Sequence, residues 1–110
     1  MGLFDLFKKP YQTIKPEQVA PLQAAGAFLI DVREPAEFRS GHASGAKLMP
    51  VGQLARSLNQ VPKERQIIVM CQSGMRSQQA AQLLAGAGYQ VMNVSGGIVG
   101  WRRAGLPVVK

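Results

Sequence analysis

The chain is a series of short apolar runs separated by polar stretches with helical spacing. The clearest run, Ala27-Phe28-Leu29-Ile30-Asp31-Val32, is nearly continuous, the pattern of a strand covered on both faces. Further runs occupy residues 66–70 and 89–94, with shorter ones at 11–14 and 46–49, the last ended by Pro50. Between them the period changes. Pro16 suits the first turn of a helix that Val19, Leu22 and Ala24-Ala25 continue and Gly26 stops; Pro21 inside it predicts a short or kinked helix. Residues 36–38 make one helical turn before Gly41. Leu54 and Leu58, spaced by four, mark a modest helix over 51–58. Ala80, Leu83, Leu84 and Ala87 form a helical stripe closed by Gly86 and Gly88. A last helix over 98–103 carries Trp101 and ends at Gly105-Leu106-Pro107, leaving a short tail.

Five strands alternating with helices predict an α/β domain with a mostly parallel sheet. In such sheets the loops that leave the strands collect at one edge, the usual place for ligands. Pro10 divides an apolar and basic extension, residues 1–10, from a domain over 11–110. The extension, Met1-Gly2-Leu3-Phe4-Asp5-Leu6-Phe7-Lys8-Lys9, is too short for a signal sequence, and Leu6 stands where myristoylation requires Ser or Thr. Docking on the domain or disorder is the expectation for it, ahead of a peripheral membrane contact. No span approaches the ~20 apolar residues of a membrane helix, so a cytoplasmic protein is expected.

Composition changes this picture at two points. A formal charge of +7 suggests anionic partners, and from Arg65 onward there are five basic residues and no Asp or Glu. No basic run exceeds two residues, and no basic stripe is interleaved with aromatics, so small anions fit better than nucleic acid. The single cysteine, Cys71, excludes an internal disulfide and any cysteine metal cluster. It is either a small buried hydrophobe or a reactive thiol. Position decides between them. Cys71 ends the run at 66–70, and Arg76-Ser77 opens a helical pattern after a short loop containing Gly74. A thiolate there meets free backbone N–H groups and the positive end of a helix dipole.

Three blocks then carry a family resemblance: Asp31-Val32-Arg33 with Glu37-Phe38, Gly41-His42, Gly45-Ala46 and Pro50; Cys71-Gln72-Ser73-Gly74-Met75-Arg76-Ser77 with Ala80-Ala81, Leu84, Gly88 and Tyr89; and Gly96-Gly97, Trp101 and Gly105-Leu106-Pro107-Val108. In order and spacing, residues 11–109 resemble a single-domain rhodanese, a sulfurtransferase homology domain. Ala43 replaces the branched residue that usually follows the histidine, and Leu48 a common polar one. The resemblance implies a three-layer domain with a five-stranded parallel core flanked by helices. It also implies transfer of sulfane sulfur from thiosulfate or a persulfide, through a Cys71 persulfide, to cyanide or a cellular or protein thiol. No cofactor or metal is implied. Cys71 is the expected nucleophile, and Gln72, Ser73, Gly74, Met75, Arg76 and Ser77 the expected substrate cradle.

Within that cradle, a free thiol pKa of about 8.5 falls to roughly 3.5–7.5 at helix N-termini or beside cations. The loop amides and the Arg76 guanidinium are the expected agents, and Ser77 is expected to cap the helix or hold the thiolate. Asp31 and Arg33 are possible supports, with Arg33 and Glu37 spaced to pair. His42 is expected to serve a structural turn, and Gly96-Gly97 a tight turn into the Trp101 helix although it has the look of a phosphate-binding turn. Four residues separate Cys71 from Arg76, where tyrosine phosphatases and their rhodanese-fold relatives have five. The shorter loop favours sulfur over a tetrahedral phosphate or arsenate. A sulfur carrier with little small-molecule turnover remains the main alternative.

Overall fold

A computed structural model describes residues 10–110; residues 1–9, and the expectations placed on them, lie outside the described residues. The core is a five-stranded sheet in the order β1-β6-β5-β2-β4, built from β1 (Gln12–Ile14), β2 (Phe28–Asp31), β4 (Lys47–Leu48), β5 (Ile67–Met70) and β6 (Val91–Val94). All of its pairings are parallel. The apolar runs are explained by this order: β5 and β6 are interior strands, and every residue of both is buried.

Alternation along β5 sends successive side chains to opposite faces. Ile67 and Val69 join Leu54, Ala80, Ala81 and Leu84 in one core, beneath α3 (Val51–Leu54) and α4 (Met75–Gly86). Ile68 and Met70 join Leu29, Met92, Val94, Ile98 and Trp101 in the other, beneath α1 (Val19–Ala24) and α5 (Gly97–Arg103). Cys71 continues the Ile67–Val69 face and packs in the first core. Helices therefore cover both sides of the sheet, as expected.

One local detail settles a sequence expectation, and two differ from it. The first helix opens as a 3₁₀ turn, Pro16–Gln18, and continues as the short α1. Pro21 lies in its first turn, where the missing N–H has no partner to lose, so no kink is needed. The segment after Pro50 is helical only through Leu54 and tightens to 3₁₀ over Ala55–Gln60, close to Pro62, which limits the helix. The tail is not free: β7 (Val108–Val109) pairs antiparallel with β3 (His42–Ala43), and Trp101 Nε1 donates to the Pro107 carbonyl at 2.8 Å. A two-residue ladder is too short to show a period in sequence.

Long-range hydrogen bonds hold the irregular parts to the core. Tyr89 Oη lies 2.9 Å from the Val61 carbonyl and 3.1 Å from that of Leu58, tying the 3₁₀ segment to the start of the β6 run. Removing that hydroxyl takes the donor from the Val61 carbonyl, while the Leu58 carbonyl keeps the Val61 N–H at 3.0 Å. Tyr89→Phe is expected to lower stability by about 1 kcal/mol, read as a lower urea midpoint with an unchanged slope.

Candidate functional site

The site forms where β5 ends and α4 begins. Cys71 follows β5 directly, and Gly74 is the N-cap of α4 with φ +104°, a left-handed conformation that side chains resist. That turn aims the Gly74 N–H back at the sulfur, 3.0 Å from Cys71 Sγ. Ser77 is fully buried within the first turn of α4, its hydroxyl 3.3 Å from the Gly74 carbonyl. Gly74 rather than Ser77 is the N-cap, and Ser77 faces the thiol.

Two opposing effects set the thiol. Burial is the larger single influence and disfavours the thiolate. Against it stand hydrogen bonds from the Ser77 hydroxyl and from the Ser77, Gly74 and Ser73 amides, which together bring the Cys71 pKa below its ordinary value. The residue is almost fully enclosed, at 1% exposure, so the anion is held by protein dipoles rather than by water.

What directs those dipoles is the start of α5. The Ile98 N–H donates to the Cys71 carbonyl at 2.8 Å, and the Val99 N–H to the Gln72 carbonyl at 3.2 Å. A trans peptide points its C=O and N–H in opposite directions, so turning the Gln72 carbonyl toward α5 turns the Ser73 amide toward the sulfur. Gly97 makes the approach possible. A Cβ there would collide with the Cys71 carbonyl oxygen and stand 2.7 Å from that of Gln72. The Gly96-Gly97 turn thus spends its helix N–H groups on the loop.

Asp31 and Arg33 form a buried bidentate pair beside this loop. Arg33 Nη2 lies 2.9 Å from Asp31 Oδ2, and Arg33 Nε 3.0 Å from Asp31 Oδ1. The guanidinium also donates to the Gly41 carbonyl at 2.8 Å and reaches the Gln72 side chain at 3.4 Å. The expected Arg33–Glu37 pairing is corrected here. Arg33 lies in a bend before Glu34, the extended N-cap of α2 (Pro35–Arg39), and turns inward, while Glu37 accepts from both Nη atoms of Arg76, at 2.7 and 2.8 Å.

The Arg76 bonds, opposed by partial burial and aided by the Glu34 amide and the charges of Arg76 and Arg33, bring the Glu37 pKa down to about 2. Arg76 is therefore at the loop, as its place in the sequence suggested, with its fork already occupied. No local signal could have shown this, because the partners are 39 residues apart. The contribution of α5 was likewise missed in sequence, where Gly96-Gly97 was visible only as a turn.

The remaining positions divide simply. Gln72, Ser73 and Met75 are exposed at the mouth, Met75 by 73%. His42 stacks on Phe38 with ring centroids 3.6 Å apart, and its Nδ1 donates to the Phe38 carbonyl at 2.9 Å. These contacts hold the α2–β3 corner. Among the described residues no group of three or more His, Cys, Asp or Glu side chains could hold a metal ion. No helix among them is long and apolar enough to cross a membrane.

The α5 contact generates a direct test. Gly97→Ala is expected to cost more than about 2 kcal/mol in stability and to slow Cys71 alkylation, because the loop must move off the helix. Paired denaturation and alkylation measurements check both effects.

Comparison with known proteins agrees with this architecture. The profile of the rhodanese-like domain matches residues 15–104. A protein named sulfurtransferase from Allochromatium vinosum is 40% identical over 83 residues, covering 74% of this chain and 78% of the relative. The thiosulfate sulfurtransferase GlpE of Vibrio cholerae is 34% identical over 90 residues, covering 81% and 85%. Among solved structures, a rhodanese-related protein from Thermoplasma volcanium superposes with a TM-score of 0.84 at 28% identity, over 90% of this chain and 98% of that one. Reduced Bacillus anthracis CoADR-RHD superposes with 0.80 at 36% identity; 84% of this chain matches 16% of that longer one. With its parallel sheet, its loops and the matched span in agreement, the chain belongs to the rhodanese-like domain family.

Proposed function

We propose that this protein is a sulfurtransferase that carries sulfane sulfur on Cys71 between a small donor and an external thiol. One observation carries the reading: a buried sulfur at the junction of β5 and α4 accepts the Gly74 N–H at 3.0 Å and is drawn toward the thiolate. A thiolate so held attacks the outer sulfur of a donor. The sulfur–sulfur bond of the donor breaks, its electron pair leaves with sulfite or a thiolate, and Cys71 keeps the transferred sulfur. The loop amides that hold the thiolate also suit the outer sulfur of the persulfide, which is anionic in turn.

Gln72, Ser73, Gly74, Met75, Arg76 and Ser77 form the cradle in this proposal, with Asp31 and Arg33 bracing Gln72 from behind. Cys71 is the only cysteine in the chain, so no internal partner resolves the persulfide. An external thiol, or cyanide in the test tube, takes the sulfur. A cytoplasmic setting rich in small thiols belongs to the same reading. The carrier alternative draws on Met75, an exposed apolar side chain at the mouth that would suit a protein acceptor.

Intact mass after incubation with a sulfane donor tests the proposal. A gain of one sulfur atom in the wild type, absent in Cys71→Ser, is the expected outcome. An unchanged mass with every donor tried would sink it. An adduct that small thiols and cyanide fail to discharge would select the carrier.

A further inference from the structure

Both guanidiniums at the site are already neutralised. Arg33 is buried to 2% exposure against the fully buried Asp31, and Arg76 is held at both Nη atoms by Glu37. The two pairs differ in one respect. Asp31 and Arg33 are sealed inside, whereas the Arg76 and Glu37 side chains remain about one-third exposed, at 33% and 32%, beside the loop that bears the nucleophile. The charge of Arg76 is near enough to be felt by the Cys71 thiolate. Glu37, with its pKa at about 2, is ionised at any working pH and cancels most of that charge.

We propose that Glu37 is a specificity-determining residue: by occupying Arg76 it sets the site for sulfur donors of low charge, alkyl persulfides, over the thiosulfate dianion. This rests on the sulfurtransferase reading above. Thiosulfate would bring two negative charges toward a thiolate held, among the described residues, by neutral backbone amides and a hydroxyl, with Arg76 already taken by Glu37. A persulfide brings one charge at most, and its loading step is simple. The Cys71 thiolate attacks the terminal sulfur, the donor's sulfur–sulfur bond breaks, and the donor thiolate departs with the bonding pair. Charge is conserved and no other reactant is needed. A dianion gains most from an unpaired guanidinium, so release of Arg76 should act selectively on thiosulfate.

Glu37→Gln removes the carboxylate charge and the Oε2 acceptor of Arg76 Nη2, while Oε1 can still accept the Glu34 N–H, which it now holds at 3.0 Å. Loading of Cys71 is measured by intact mass against time, with thiosulfate and with 2-hydroxyethyl persulfide, which carries one charge at most, as donors, at fixed ionic strength. In the wild type, 2-hydroxyethyl persulfide is expected to load with the higher kcat/KM. Glu37→Gln is expected to raise kcat/KM for thiosulfate about three- to five-fold, mainly through KM, and to change the persulfide value less than about two-fold. The gain should vanish in the double variant Glu37→Gln/Arg76→Ala.

A thermal melt verifies folding, and Glu37→Ala serves as a second variant with the same expectation. The proposal is overturned if Glu37→Gln lowers thiosulfate use, if both donors shift together, or if the gain survives loss of Arg76. If neither donor loads the wild type, the failure belongs to the sulfurtransferase reading, and this inference falls with it.

Discussion

Everything at this site depends on one contest, between the burial of Cys71 and the hydrogen bonds that reach it. An enclosed thiol would ordinarily stay protonated, because removing a thiolate from water is costly. Here the Ser77 hydroxyl and three backbone amides converge on the sulfur and reverse the balance. Those donors cost little to aim, since the fold has already placed them. Strand β5 delivers the sulfur, the left-handed Gly74 turns the chain, and α5 holds the loop carbonyls on the far side. The sheet order serves the same end, because an interior β5 gives Cys71 a rigid base.

The alternation of apolar runs was enough to read the α/β class and the five strands, and the parallel sheet is as expected. Those runs are long because interior parallel strands are covered on both faces, so their signal survives in one dimension. The β3–β7 ladder did not survive, since two residues carry no period and the pairing joins positions far apart. The first helix was expected as short or kinked, and the ambiguity lay in whether Pro21 fell in the first turn or the interior. The 3₁₀ start placed it in the first turn.

At the site, what could be read was local and what could not was long-range. Cys71, Gly74 and Ser77 follow one another closely, and their meeting needs only a strand, a turn and a helix. The partner of Arg76 needed the fold. Arg33 and Glu37 have a spacing that reads as a pair, yet Arg33 turns back to Asp31 and Glu37 takes Arg76 from 39 residues along the chain. The exchange has an electrostatic consequence, because it leaves both site arginines paired with carboxylates. The Gly96-Gly97 turn shows the same limit: its role in orienting the loop appears only once α5 is seen against Cys71 and Gln72.

The most direct measurement is the titration of Cys71 itself, followed by thiolate ultraviolet absorbance with Cys71→Ser as the blank. A lowered pKa means that thiolate accumulates as pH rises through a midpoint below the ordinary thiol value, and that Ser77→Ala moves the midpoint upward. A wild-type midpoint at or above the ordinary value, unmoved by Ser77→Ala, would show that burial wins the contest and would contradict the account.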